Sequence, residues 1–344
     1  MARMQRLWGA SIGLALLFLS AATAQAQSFT PDPVDMAAAK REGSVSWYTS
    51  TPIDAAQKIA DGFTQATGVK VELFRSGGEA VLRRFMQEIS AGRFAADLLT
   101  TSDPAAAAQL AEKGTFVAFK PADFAKIPAE VKDPQGRYIA QRLNMLGIIL
   151  RADKVPESGR PKSWADLVKP AYKGQMVMPD PAFTSLQLVV VATLSQKLGW
   201  DFYQGLRKND VMIVQGHQQV SDMLKRGERV IAAEGADSYA FLDRKAGHDE
   251  ITIFPSEGAF AIPSPTAIVK GGPHPEAAKA FARFMLSDAA QKLFPEKGLY
   301  AANSDTPPPA GNRKLSEIKL MPVDYGYIKQ NSAAIKERFA EIFQ

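Results

Sequence analysis

Apolar and polar residues follow two periods in turn along residues 44–103. Short β-prone runs come first, each followed by a polar loop and then by apolar residues at helical spacing. Ser44 to Tyr48 is the first run, the alternating Val69 to Phe74 the second, and Ala95 to Thr100 the third. The helices that follow are expected over 54–67, with Ala56, Ile59, Ala60 and Phe63 on one face, over 79–91, with Leu82, Phe85, Met86 and Ile89, and over 104–113. Gly68 and Gly114 close the first and third of these. Each junction carries helix-start chemistry. Thr51 precedes Pro52, Ser76 and Glu79 have capping-box spacing, and Asp103 precedes Pro104. In an open α/β sheet ligands bind beyond the carboxyl ends of the strands, so these loops should face one cleft.

The second half repeats the alternation. Strands are expected at 175–178, 211–214, 230–234 and 251–254, with helices over 185–198, 200–209, 218–226 and 238–246. The apolar run 143–151 leaves the first set of elements, and 258–269 returns to it, so both are candidate crossings. The fold class expected is α/β with two lobes and a ligand cleft between them. Lobe 1 comprises 27–143 plus 266–344, and lobe 2 comprises 144–265.

Residues 1–26 stand apart. Arg3 and Arg6, a short apolar run and Ala24-Gln25-Ala26 make a secretory signal peptide cleaved after Ala26, which implies a soluble periplasmic protein. Gly9-Ala10-Ser11-Ile12-Gly13 matches a hydrolase pattern but falls within this leader with no strand before it, so it carries no chemistry. The chain has no cysteine, which excludes disulfides, thiolate metal sites and thiol catalysis. The net charge of +5 drops to +3 without Arg3 and Arg6, a mild excess that admits an anionic ligand and does not suggest nucleic acid. His217, His248 and His274 lie in different elements and form no metal motif. Trp164, Trp200, Phe202 and Tyr203 read as core.

Thr49, Ser50, Ser76 and Ser102 place hydroxyls at the first-lobe junctions. Helix N-termini there offer anions unpaired N–H groups and a positive dipole end. Gly77 and Gly78 permit close backbone approach or serve turn geometry alone. Arg75 either clamps a carboxylate or phosphate or braces the lobes. Thr184 and Ser185 open a second-lobe helix. Asp237 and Tyr239 open another, where Asp237 caps or recognises an amine or metal.

Taken in order, Trp47-Tyr48-Thr49-Ser50, Arg75-Ser76-Gly77-Gly78, Ala96-Asp97, Ser163-Trp164-Ala165-Asp166-Leu167, Tyr172-Lys173-Gly174, Asp180-Pro181, Gly227-Glu228 and Pro275-Glu276-Ala277-Ala278-Lys279 resemble the solute-binding proteins of bacterial ABC importers. The resemblance covers nearly the whole mature chain and is nearest the group that binds ferric ion, 2-aminoethylphosphonate or sugar phosphates. It implies a type II-like periplasmic-binding-protein fold, a non-enzymatic role, a small-molecule solute, an inner-membrane ABC permease as partner and a monomer. No cofactor is implied. Ferric members carry a Tyr-Tyr pair where Asp237 and Ser238 stand here, with Tyr239 one place later. Fe(III) as transported ligand is therefore the alternative reading, with Tyr239, Asp237 and Glu234 as its ligands. A ligand-sensing receptor for a membrane kinase is a further one.

Overall fold

A computed structural model of the chain describes residues 29–343. The leader, its cleavage after Ala26 and the 9–13 pattern lie outside the described residues. In chain order the helices are α1 (Met36–Glu42), α2 (Ile53–Thr67), α3 (Gly78–Ser90), α4 (Pro104–Glu112), α5 (Ser185–Leu198), α6 (Trp200–Lys208), α7 (His217–Arg226), α8 (Asp237–Lys245), α9 (Pro275–Leu286), α10 (Asp288–Gln291), α11 (Leu293–Glu296) and α12 (Tyr325–Phe343). The strands are β1 (Ser44–Thr49), β2 (Lys70–Arg75), β3 (Leu98–Thr100), β4 (Phe116–Val117), β5 (Ile139–Arg151), β6 (Met176–Pro179), β7 (Met212–Val214), β8 (Ile231–Ala236), β9 (Glu250–Ile253), β10 (Phe260–Val269) and β11 (Tyr300–Ala301).

The sheet runs β2-β1-β3-β10-β5-β8-β6-β7, with β4 beside β10 and with β9 and β11 beside β5. Strand β1 is parallel to β2 and β3, and β6 is parallel to β7 and β8. Two parallel β/α halves are thus built as the alternating pattern requires. The candidate crossings are β5, which begins four residues earlier than expected, and β10, which begins two residues later. They are not separate linkers between two sheets. They pair antiparallel from Phe260 opposite Leu146 to Thr266 opposite Ile139, so one hydrogen-bonded sheet runs through both lobes. The register shifts between Ser264 and Pro265, where proline cannot donate to the ladder.

Each half has its own core. Trp47, Phe63, Phe281 and Phe294 are buried in the first, and Trp164, Leu188, Tyr203 and Phe260 in the second. Trp47 meets Phe281 edge-on at 5.2 Å. Trp164, Phe202 and Tyr203 are core as expected, and Trp200 packs at its edge. The C-terminal helix departs from expectation. Ile328, Ile335 and Phe339 of α12 join the second core, so 266–344 do not belong as a whole to lobe 1. An adjacent face of α12 reaches the first half through Lys329–Glu112 at 2.8 Å and Lys336–Glu79.

Asp97, 1% exposed, ties the start of β3 to β1 and α9. It accepts hydrogen bonds from Ser46 N (2.8 Å) and His274 N (2.7 Å), and its other contact is His274 Nδ1 at 2.8 Å. Removing the carboxylate leaves several partly buried donors without a partner. Asp97→Ala should lower stability by about 3 kcal/mol. Urea unfolding measures it, and a change under about 1 kcal/mol would show that Asp97 does not hold these elements together.

Candidate functional site

Parallel strands of both halves end at one cavity. From the first half come Ser50 after β1, Arg75 at the end of β2, Gly77 and Gly78 opening α3, and Ser102 after β3. The second half contributes Phe183, Thr184 and Ser185 before and at the start of α5, His217 opening α7, and Ser238 and Tyr239 in the first turn of α8. Asn144 of β5 lies on the floor. The cavity measures about 70 Å³, and no carboxylate lines it among the described residues.

The floor is a relay of hydroxyls and an amide. Ser50 Oγ lies 3.2 Å from Ser102 Oγ, which is 2.9 Å from Ser264 Oγ. Asn144 Nδ2 donates to Ser264 Oγ (2.8 Å) and to Ile262 O (2.9 Å). Beside it, Arg142 is fully buried on the same face of β5 two residues earlier. Its Nη1 donates to Thr51 Oγ1 (2.8 Å), while its Nε and Nη2 have no protein partner. Desolvation first, and the Arg75 charge second, lower its pKa to about 9, so it remains a cation at neutral pH. Arg75 Nε donates to Thr51 O at 3.1 Å. Among the described residues neither guanidinium forms an ion pair.

His217 is 7% exposed, and neither of its ring nitrogens has a protein partner. Burial lowers its pKa to about 4, so the imidazole is neutral at pH 7. Its ring stacks on Tyr239 at 6.4 Å and 21°. Burial pushes the Tyr239 hydroxyl up, and Arg75 and Arg142 pull it partly back.

Ser50, Arg75, Gly77, Ser102, Thr184, Ser185 and Tyr239 are therefore brought together as expected. Thr49, Ser76 and Asp237 are not among the lining residues. Thr49 is buried, with Oγ1 bonded to Thr51. Asp237 accepts from Thr252 Oγ1 and Asn312 Nδ2, on the side of α8 that faces β9. Glu234 is buried and held by Tyr203 Oη (3.0 Å) and Gln187 Nε2, and desolvation raises its pKa to about 7. Both carboxylates of the expected iron set are thus engaged elsewhere, and only Tyr239 faces the cavity. No cluster of three or more His, Asp or Glu suited to a metal occurs among the described residues.

Two of the expected caps are also absent. Thr51 does not cap α2, which follows Pro52 without a side-chain cap; its hydroxyl accepts from Arg142, and Gln141 Nε2 also reaches it. Ser76 and Glu79 form no capping box, because Gly77 is the N-cap of α3. Glu79 instead accepts from Ser185 Oγ (3.1 Å) and pairs with Lys336. Asp103 does cap α4, accepting from Ala106 N at 2.9 Å. Sequence reasoning missed Arg142, Asn144 and His217. The one signal in the sequence is that Arg142 and Asn144 are polar residues two apart beside an apolar run, which places them on one strand face but does not show their burial.

A sheet of two parallel halves joined by paired crossing strands, with a polar cavity between the halves, defines a two-lobed binding protein. The chain belongs to the bacterial extracellular solute-binding proteins, whose family profile matches residues 95–331. Its role is that of the substrate-binding component of an ABC importer. It is 24% identical over 323 residues to an uncharacterised protein of Haemophilus influenzae, covering 88% of this chain and 92% of that one. It is 25% identical over 269 residues to the Fe(3+)-binding periplasmic protein of Serratia marcescens, covering 74% and 77%. The structure of the periplasmic binding protein AfuA from Actinobacillus pleuropneumoniae, with exogenous fructose-6-phosphate bound, is similar with a TM-score of 0.78 and 21% identity, over 88% of this chain and 98% of that one.

Closure depends on two glycines. A Cβ at Gly77 would lie 2.4 Å from the Phe183 ring, and one at Gly78 would lie 2.5 Å from Ser185 Oγ, both across the cleft. Overpacking of this kind costs about 1–3 kcal/mol. The double variant Gly77→Ala/Gly78→Ala should therefore weaken solute capture about tenfold or more and increase the radius of gyration, with melting temperature little changed. Unaltered small-angle scattering and affinity would show that the glycines serve turn geometry alone.

His217 also sets a pH dependence. Its folded pKa of about 4 lies below the ordinary 6.5, so the folded state binds fewer protons in that window. Stability is lost as pH falls from 6.5 towards 4, by about 3 kcal/mol in all. His217→Gln should gain that much relative to wild type between pH 7 and pH 4. Parallel stability curves from urea titrations would refute it.

Proposed function

We propose that this protein captures a small anionic solute, organic or phosphorylated, in the periplasm and delivers it to an inner-membrane ABC permease. One observation carries the reading. Arg75 lines the cavity, Arg142 is buried near enough to feel its charge, and neither guanidinium pairs with a carboxylate among the described residues. The helix starts at Gly78, Ser185 and His217 add N–H groups and positive dipole ends on the same side. The protein acts as a monomer by binding and release rather than turnover. Its lobes close around the solute by bending at the β5–β10 ribbon, and the closed form docks on the permease. The fructose-6-phosphate bound by AfuA is an anion of this general kind.

Native mass spectrometry of protein from periplasm identifies the co-purified solute, and calorimetry with it tests the charge. A charge-assisted hydrogen bond contributes about 1.5–3 kcal/mol, so Arg75→Ala should weaken binding about tenfold to a hundredfold. Arg142→Met should weaken it comparably and raise the stability of the solute-free protein, because it removes a buried cation. Equal affinities in wild type and both variants would sink the anion reading. A phenolate-to-iron absorption band on adding ferric ion, lost in Tyr239→Phe, would replace it with ferric capture.

A further inference from the structure

The relay on the cavity floor has a direction. In the β5–β10 register Asn144 stands opposite Ile262, and Ser264 lies two residues further along β10, on the same face. Asn144 Nδ2 donates to Ile262 O, a backbone carbonyl that can only accept, so turning the amide round would set two acceptors against each other. Its second hydrogen goes to Ser264 Oγ. Ser264 is fully buried between Pro263 and Pro265, and its one other side-chain partner among the described residues is Ser102 Oγ. The Ser264 hydrogen therefore goes to Ser102; pointed elsewhere it would be a buried donor without an acceptor. Ser102, also buried, accepts that bond and passes its own hydrogen to Ser50 Oγ. Ser50 has then used an acceptor position and keeps its hydrogen, which no other side chain among the described residues takes. Ser50 is only partly buried and lines the cavity, so the hydrogen is presented there.

We propose that Ser264, oriented by Asn144, is a positioning residue that fixes Ser50 as a hydrogen-bond donor to an ionised acid oxygen of the solute. This rests on the anion reading above and deepens it. Ser264 is not among the lining residues and acts only through Ser102 and Ser50. A free serine hydroxyl can turn to donate or to accept, whereas Ser50 is held in the donating sense before the solute arrives. An ammonium or amide N–H at this place would set two donors against each other, so the relay selects against it without using any charge.

Neutron diffraction from crystals of the perdeuterated mature protein observes the direction. Deuterium should lie on the Ser102 side of Ser264 Oγ, on the Ser50 side of Ser102 Oγ and on the cleft side of Ser50 Oγ. Deuterium running the other way, from Ser50 towards Ser264, overturns the proposal. Calorimetry with sulfate, an anion whose oxygens only accept, measures the consequence at pH 7. Sulfate should bind wild type, and Ser264→Ala should weaken that binding about tenfold, because Ser50 can then donate back to Ser102. Ser264→Thr, which keeps the hydroxyl, should recover most of the loss. Equal sulfate affinity in wild type and Ser264→Ala, a loss that Ser264→Thr does not repair, or no sulfate binding to wild type also overturns the proposal. The anion reading is judged apart from this, by Arg75→Ala and the co-purified solute, and stands or falls on that measurement alone.

Discussion

A guanidinium buried in the middle of a sheet is the constraint around which this cleft is built. Arg142 is fully buried, bonded once through Nη1 to Thr51, and beside Arg75. Removing a cation from water is costly unless an opposite charge or a full set of hydrogen bonds offsets it. The protein supplies hydroxyls, an amide and no carboxylate at this place. A positive potential therefore stands beside the cavity, in surroundings of low polarisability where it acts most strongly. On the proposed reading, an anion in the cleft would offset that potential, which links the energetics of the buried guanidinium to solute recognition. It also explains why Thr51 does not cap α2, since Arg142 requires its hydroxyl.

Closure of the halves is governed by how they are joined. Because β5 and β10 pair with each other, a hinge motion bends a hydrogen-bonded ribbon rather than two loose strands, and the bulge at Ser264–Pro265 is where its ladder is already interrupted. From Pro31 onward the described chain forms one compact unit, with β5 and β10 paired inside its one sheet. Glu79 sits at the seam. Its backbone N–H donates to Phe183 O at 3.2 Å, and its carboxylate meets Ser185 and Lys336. All three partners belong to the second half, Lys336 because α12 is packed in that core. Partly exposed ion pairs contribute only about 0–1 kcal/mol each. These contacts therefore set the geometry of closure more than its strength, and the strength is left to the solute.

The order of strands and helices was legible because each half repeats one pattern, a short apolar run followed by a helical period. The junction residues were legible for the same reason: Ser50, Arg75, Ser102, Thr184 and Ser185 sit at strand ends or helix starts, and strand ends converge. What failed was the assignment of local partners. Thr51 and Glu79 look like caps when only neighbours in sequence are considered, but tertiary partners outcompete the local ones. Arg142 and His217 were missed for a related cause. Nothing within a few residues of either reveals that it will be buried without a partner. The single sheet was hidden because an apolar strand reads the same whether it lies between two lobes or inside one.

The positions of the acidic residues complete the electrostatic picture. Glu234 and Asp237 flank the cavity-lining Ala236 in sequence, and either one facing inward would cancel much of the Arg75–Arg142 potential. Glu234 lies two residues before Ala236 on β8, yet its side chain is held by Tyr203 and Gln187 in the second core, where burial favours its neutral form. Asp237, the first residue of α8, is drawn towards Thr252 and Asn312, and burial likewise favours its protonated form. The following residues, Ser238 and Tyr239, are then the ones presented to the cavity. Residues that could have supplied hard anionic oxygens to a cation are thereby used to build the second lobe, and neutral hydroxyls take their place at the site. With these carboxylates turned into the scaffold, Arg75 at the cavity and the buried Arg142 near it are left without an acidic partner among the described residues.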